Sequence, residues 1–204
     1  MTMPPLSRRG FLAASAVIAV LAIIPLPASA AVPGAETFMK NFADQMVAIV
    51  NGPQPHDAKK AALAPVIDAN VDVPTIARFC LGRAWNTATP AQQEKYVTLF
   101  HQWLLNDIAA HLGDYQGVSY TLTGTHPQGG DALVGTSIVR PNAPVADVQW
   151  VISTVGGAPK VVDVVAEGTS MRLTQRQDYA SYLRQHGNDL DALLAALGRQ
   201  LSGG

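Results

Sequence analysis

The chain has 204 residues, 48% hydrophobic and 14% charged, with 14 Lys and Arg against 15 Asp and Glu and a formal net charge of −1. Its basic residues are scattered without a run, which argues against the clustered cationic face that nucleic acid requires. A single cysteine, Cys80, excludes an intramolecular disulfide, and the length suits one domain with a sizeable core.

Residues 1–30 read as an export address. Ser7-Arg8-Arg9-Gly10-Phe11-Leu12 matches the twin-arginine signature, and an uncharged apolar run follows through Ile24. That run is nearer the roughly 7–15 residues of a signal peptide than the ~20 of a bilayer span. Ala28 and Ala30 suit cleavage after Ala30, and no cysteine adjoins the cut to carry a lipid. Removing residues 1–30 removes Arg8 and Arg9 and no acid, leaving 12 basic against 15 acidic residues and a net charge of −3. The expectation is a soluble, exported protein with one domain over 31–204.

From Glu36, Phe38, Phe42, Met46 and Ile49 recur at helical spacing up to Asn51-Gly52-Pro53. Asp57 to Asp68 predicts a second helix distorted at Pro65. Asp72-Val73-Pro74 caps and starts a third that stops at Gly82. Thr89-Pro90-Ala91-Gln92 is a capping box with proline at the first helical position, and it opens a long helix through about Leu112. One face of that helix carries Tyr96, Leu99, Phe100, Trp103, Leu104, Ile108 and Leu112.

Four runs then alternate with a period of two: 117–123, 132–140, 145–154 and 160–167, separated by Gly- and Pro-containing turns. They predict an antiparallel meander. In the third, Val148, Trp150 and Ile152 share a face opposite Asp147 and Gln149, so one side is buried and the other wet. Helices return at Gln177–His186 and Asp189–Leu201, the latter capped by Asn188 or Asp189. The predicted class is α+β, a four-stranded or slightly larger antiparallel sheet with helices packed on one face.

No constellation of catalytic groups emerges. Asp107 and His111 stand at i,i+4 with His101 nearby, but two ligands without a third read as a solvated helix face rather than a metal site. Ser137 and Ser170 adjoin glycines without the nucleophile elbow and read as turn or strand serines. Cys80 sits in an apolar stretch and reads as packing. Gly129-Gly130 lies between strands with no helix after it, so no phosphate cradle forms. These observations point away from an enzyme and from any metal or cofactor.

Two stretches carry a resemblance: Ile76-Ala77-Arg78-Phe79-Cys80-Leu81-Gly82-Arg83-Ala84-Trp85 with Ala88-Thr89-Pro90-Ala91-Gln92-Gln93, and Val162-Asp163-Val164-Val165-Ala166-Glu167-Gly168-Thr169-Ser170-Met171. Together with Asp178-Tyr179-Ala180-Ser181-Tyr182-Leu183-Arg184, they resemble the MlaC, or toluene-tolerance, family of periplasmic phospholipid-binding proteins. The chain departs from the family pattern at the aspartate between Val71 and Val73, where many relatives carry aromatic residues, and in its twin-arginine signal.

The resemblance implies an NTF2-like fold enclosing an apolar lipid cavity. It implies a carrier of phospholipid, or of a sterol-like lipid as in the hopanoid-associated subgroup, with no cofactor beyond its cargo. The implied partners are an outer-membrane lipoprotein complex and an inner-membrane ABC transporter with MCE subunits. The implied tail lining is Phe79, Trp85, Tyr96, Phe100, Trp103 and Leu104 against Val148, Trp150, Ile152, Val162, Val164 and Met171. Arg78, Arg83 and Arg140 are candidates for charge near the mouth. Two rivals stand beside this reading: a periplasmic enzyme on the same cone with a small apolar substrate, which predicts a buried His or carboxylate inside, and an adaptor with a solid core.

Overall fold

The computed structural model describes residues 32–202; the predicted export segment, residues 1–30, lies outside the described residues. Helix α1 (Ala35–Asn51) buries Ala35, Met39, Phe42, Ala43 and Val50 on one side, following the helical period. Helix α2 (His56–Asn70) runs on through Pro65, and its Lys59 is buried. The Lys59 ammonium donates to the Val50 carbonyl at 2.6 Å and to Gln116 at 3.0 Å. It thereby caps the carbonyl end of α1, where the helix dipole favours a cation.

Helix α3 (Val73–Leu81) starts where its cap predicts, Asp72 accepting from the Thr75 N–H at 3.3 Å. Gly82 ends it at φ 60° and ψ −125°, a conformation that glycine alone adopts readily. A short helix α4 (Arg83–Thr87), unforeseen from sequence, follows. In α5 (Pro90–Ala110) both bonds of the capping box form, Gln92 N–H to Thr89 Oγ1 at 3.2 Å and Thr89 N–H to Gln92 Oε1 at 3.0 Å. The helix then tightens into a 3-10 turn over Leu112–Tyr115.

Strands β1 (Ser119–Gln128), β2 (Asp131–Val139), β3 (Ala146–Val155), β4 (Ala158–Ala166) and β5 (Thr169–Ser170) each pair antiparallel with the next. The meander is the predicted one with a two-residue fifth strand added. Two-residue turns join its later strands. Gly156-Gly157 has φ of 59° and 84°, and Glu167-Gly168 has 51° and 75°. Positive φ at both positions matches the twist of paired strands. The glycines adopt it freely, whereas Glu167 does so at a cost of about 1–2 kcal/mol.

Two bulges shift the sheet's phase. On β1, Leu122 faces Thr136 while Gly124 faces Gly135, so Thr123 is extra and the strand continues to Gln128 beyond the expected end. On β4, Val161 faces Ile152 and Asp163 faces Val151, leaving Val162 without a partner. Because of that extra residue, Val161 rather than Val162 joins Val164 on the core face.

Helix α6 (Met171–Gln185) begins well before the predicted Gln177, and α7 (Leu190–Ser202) begins where Asp189 accepts the Asp191 N–H at 2.8 Å. The main core lies between the helices and one face of the sheet. Ala132, Val134, Ile152 and Val161 share a cluster with Met39, Phe42, Ala77, Tyr96, Phe100, Tyr179 and Leu194. Asp147 and Gln149 on the other face are exposed, as the alternation of β3 requires.

Candidate functional site

The predicted aromatic stripe of α5 forms the centre of this core. Tyr96 and Phe100 are buried, while Leu99, Trp103, Leu104 and Ile108 are half-buried against the same cluster. The rings stand in a ladder: Trp103 to Phe100 at 5.5 Å, Phe100 to Tyr96 at 5.9 Å, and Tyr96 edge-on to Tyr179 of α6 at 6.1 Å. Such tilted and edge-on pairs are the arrangements aromatic quadrupoles favour. Opposite, Trp150 of β3 meets Phe42 of α1 edge-on at 5.9 Å. Its indole N–H is satisfied within the sheet, donating to the buried Thr136 Oγ1 at 2.8 Å.

Most of the predicted lining comes together. Tyr96, Phe100 and Ile152 lie within the main cluster, and Phe79, Trp85, Trp103, Leu104, Trp150 and Val164 pack on it half-buried. Val148 and Val162 are buried outside that cluster. Met171 is not brought to the others: it opens α6 at the surface, 46% exposed. Tyr179 joins the ladder without having been foreseen, because its helix reads as polar in sequence.

The polar ties of α5 run to the helices that pack around it. The side chains of α5 bond to α2 through His101 and Asp68 at 2.7 Å, to α3 through Tyr96 and the Ala77 carbonyl at 3.0 Å, and to α7 through Gln92 and Asp191 at 3.0 Å. Among the described residues none reaches a strand. Shallow grooves lie elsewhere on the surface of the described residues. One of about 430 Å³ lies between α2, α5 and α7, and one of about 250 Å³ on the sheet near the β1 bulge. Neither is lined by a ring of the ladder.

Of the arginines singled out from sequence, Arg78 stacks over Trp85 at 5.8 Å, Arg140 over Tyr115 at 4.8 Å, and Arg83 is exposed. Two others were missed: Arg172 and Arg176 both lie over the Phe79 ring, at 4.6 and 5.0 Å. Their i,i+4 spacing after the Glu-Gly-Thr-Ser stretch was the available signal, but only the start of α6 at Met171 puts them on one helix face.

That start is built by Asp163, which is 5% exposed. Its carboxylate accepts from Ser170 Oγ at 2.6 Å, from the Val164 N–H at 2.8 Å and the Arg172 N–H at 3.1 Å, and pairs with Arg172 Nε at 3.3 Å. Ser170 in turn caps α6, accepting the Leu173 N–H at 3.1 Å. The serine, read from sequence as a turn or strand residue, is thus a helix cap. The second resemblance-bearing stretch is an architectural corner: strand, two-residue turn, cap and helix start.

Cys80 is buried beside that corner and donates to the Arg172 carbonyl at 3.5 Å; burial pushes its thiol up to about 12, so it is an inert thiol at neutral pH. His111 Nδ1 bonds the Asp107 carbonyl at 2.8 Å rather than its carboxylate, and no group of three or more His, Cys, Asp or Glu side chains among the described residues is placed to hold a metal. Burial raises the hydroxyls of both Tyr96 and Tyr179 above the usual phenol range. They differ in bonding. The Tyr96 hydroxyl donates to Ala77, whereas that of Tyr179 is buried with no partner among the described residues. An unsatisfied buried hydroxyl costs about 1–3 kcal/mol.

The model of the MlaC protein family matches residues 40–199, and the chain belongs to that family. It is similar to toluene tolerance protein ttg2D of Pseudomonas putida, at 28% identity over 137 residues. That match covers 67% of this chain and 62% of the relative, so it spans less than two thirds of the curated relative's length. It is also similar in structure to the phospholipid-binding protein from Ralstonia solanacearum, solved in complex with a phospholipid, with a TM-score of 0.72. That likeness covers 83% of this chain and 97% of the other at 18% identity, and it shows a shared fold. No helix among the described residues is long and apolar enough to cross a membrane.

Proposed function

We propose that this member of the MlaC protein family is a periplasmic lipid carrier, exported by its twin-arginine signal as one domain over 31–204. It takes phospholipid by the acyl chains between the α5 ladder and the inner face of the sheet. The observation that carries this reading is the aromatic ladder, set in an apolar core shared by helices and sheet, with no side chain of α5 hydrogen-bonded to a strand among the described residues. Two apolar faces that share no hydrogen bond part by sliding side chains, and no buried polar group is orphaned when they do. The phospholipid-bound relative and the family membership support the same cargo.

The physical need is plain. Each buried CH₂ contributes roughly 0.8 kcal/mol, so a diacyl lipid cannot cross an aqueous gap unaided at any useful rate. A carrier offers burial equal to that of the membrane, which makes exchange nearly neutral. Direction then comes from partners: an outer-membrane lipoprotein complex at one end and an inner-membrane ABC transporter with MCE subunits at the other. In this role the protein binds and releases lipid and performs no chemistry on it.

Native mass spectrometry with organic extraction, on protein 31–204 purified without detergent, tests the reading. A bound species of phospholipid mass is the expected result. A clean apo mass that also fails to take lipid from phospholipid vesicles overturns it and leaves the periplasmic enzyme and the solid-core adaptor.

A further inference from the structure

Among the described residues three buried polar side-chain atoms have no hydrogen-bond partner: Asp72 Oδ2, Arg140 Nε and the Tyr179 hydroxyl. The first belongs to a carboxylate whose other oxygen caps α3, and the second to a half-buried arginine stacked on Tyr115. Tyr179 differs because it lies within the main core, 5% exposed, at the end of the aromatic ladder.

The polar atoms around it are already engaged. Tyr96 donates to the Ala77 carbonyl at 3.0 Å, and Cys80 donates to the Arg172 carbonyl at 3.5 Å. A phenylalanine would fill the position and keep the edge-on contact, so the hydroxyl is retained without any bond inside the fold. It stays protonated at neutral pH because burial disfavours the phenolate, and it therefore has a hydrogen to give. The rest of the main core around it is apolar, and the nearby Asp178 carboxylate already carries negative charge, which together disfavour a charged acceptor such as a phosphate and admit a neutral one. On a lipid whose tails lie along rings, the neutral acceptor at the end of a chain is the acyl ester carbonyl.

We propose that the Tyr179 hydroxyl donates a hydrogen bond to an acyl ester carbonyl of the bound lipid, so that the protein prefers ester-linked over ether-linked chains. This rests on the carrier reading above and adds to it a determinant of cargo.

The test is competition in native mass spectrometry between a diester phosphatidylcholine and its diether analogue with the same headgroup and chains, both offered from mixed vesicles. The wild-type chain should favour the diester by roughly tenfold, the worth of one well-made neutral hydrogen bond. Tyr179→Phe should lower diester binding to the diether level, leave diether binding unchanged and keep the apo melting temperature or raise it. Tyr182→Phe, which removes a hydroxyl bonded to the Ala192 carbonyl away from the ladder, should keep the preference.

Equal uptake of both lipids by the wild type overturns the proposal without any variant. A Tyr179→Phe chain that loses both lipids equally, or neither, overturns it as well. Should the wild type take neither lipid, the carrier reading fails first and this inference with it.

Discussion

The corner at Asp163 and the ladder at Tyr96, Phe100 and Tyr179 are both buried, both touch α6, and use polarity in opposite ways. At the corner each carboxylate oxygen is bonded, so strand β4, the turn at Glu167-Gly168 and the start of α6 hold one geometry. Along the ladder the surroundings are the apolar side chains of the main core, and one hydroxyl is left over. A directional, satisfied network resists displacement, because moving it exposes unpaired groups; an apolar contact is non-directional and re-forms around a different occupant. The family-bearing second stretch thus builds the frame, and the ladder supplies the surface that a lipid would enter.

Substitutions should separate the two. The largest effect is expected at Phe100→Ala, where loss of a buried ring costs about 3–5 kcal/mol. In the fraction that remains folded, lipid occupancy should fall further than stability does, as read by urea unfolding beside extraction of bound lipid. Equal losses of both would make the ladder core alone and erase the contrast with the corner.

Asp163→Asn comes next. Replacing a charged acceptor with a neutral one should cost about 2 kcal/mol in urea unfolding. Lipid occupancy of the folded protein should stay at the wild-type level, and a parallel drop would show that the corner also shapes the pocket. Smaller again is Tyr96→Phe, expected to cost about 1 kcal/mol through its bond to Ala77. Tyr179→Phe should cost nothing by the same measurement, which sharpens the difference between a bonded and an unbonded hydroxyl inside the ladder itself.

The mildest test uses pH. The folded Cys80 thiol titrates near 12 against about 9 when unfolded, so its contribution is complete below pH 9 and fades as pH rises toward 12. Between pH 8 and 10.5 the wild type should therefore lose more urea resistance than Cys80→Ala does. The same slope in both would place the sensitivity in other groups, such as the two buried tyrosines.

The resemblance-bearing motifs were legible in sequence because they are local, and their meaning in the fold was not. Trp150, Phe100 and Ile152 reach the core as their alternation and helical period require. Met171 reads as lining on the strength of following a strand, but Ser170 caps a helix there and turns Met171 outward. Val162 reads as the inward partner of Val164, but the β4 bulge gives that position to Val161. No period reveals a bulge, since it is an interruption of the period.

By itself the sequence determined the α+β class, the capped start of α5, the antiparallel meander and the aromatic stripe. Each depends on residues within a few positions of one another, where backbone preference and side-chain spacing act directly. Only the tertiary structure decided where α6 begins, which valine faces the core, that two arginines share Phe79, and that Tyr179 meets Tyr96 with its hydroxyl unbonded. Those outcomes depend on groups brought together from distant parts of the chain, whose burial and pairing no local pattern encodes.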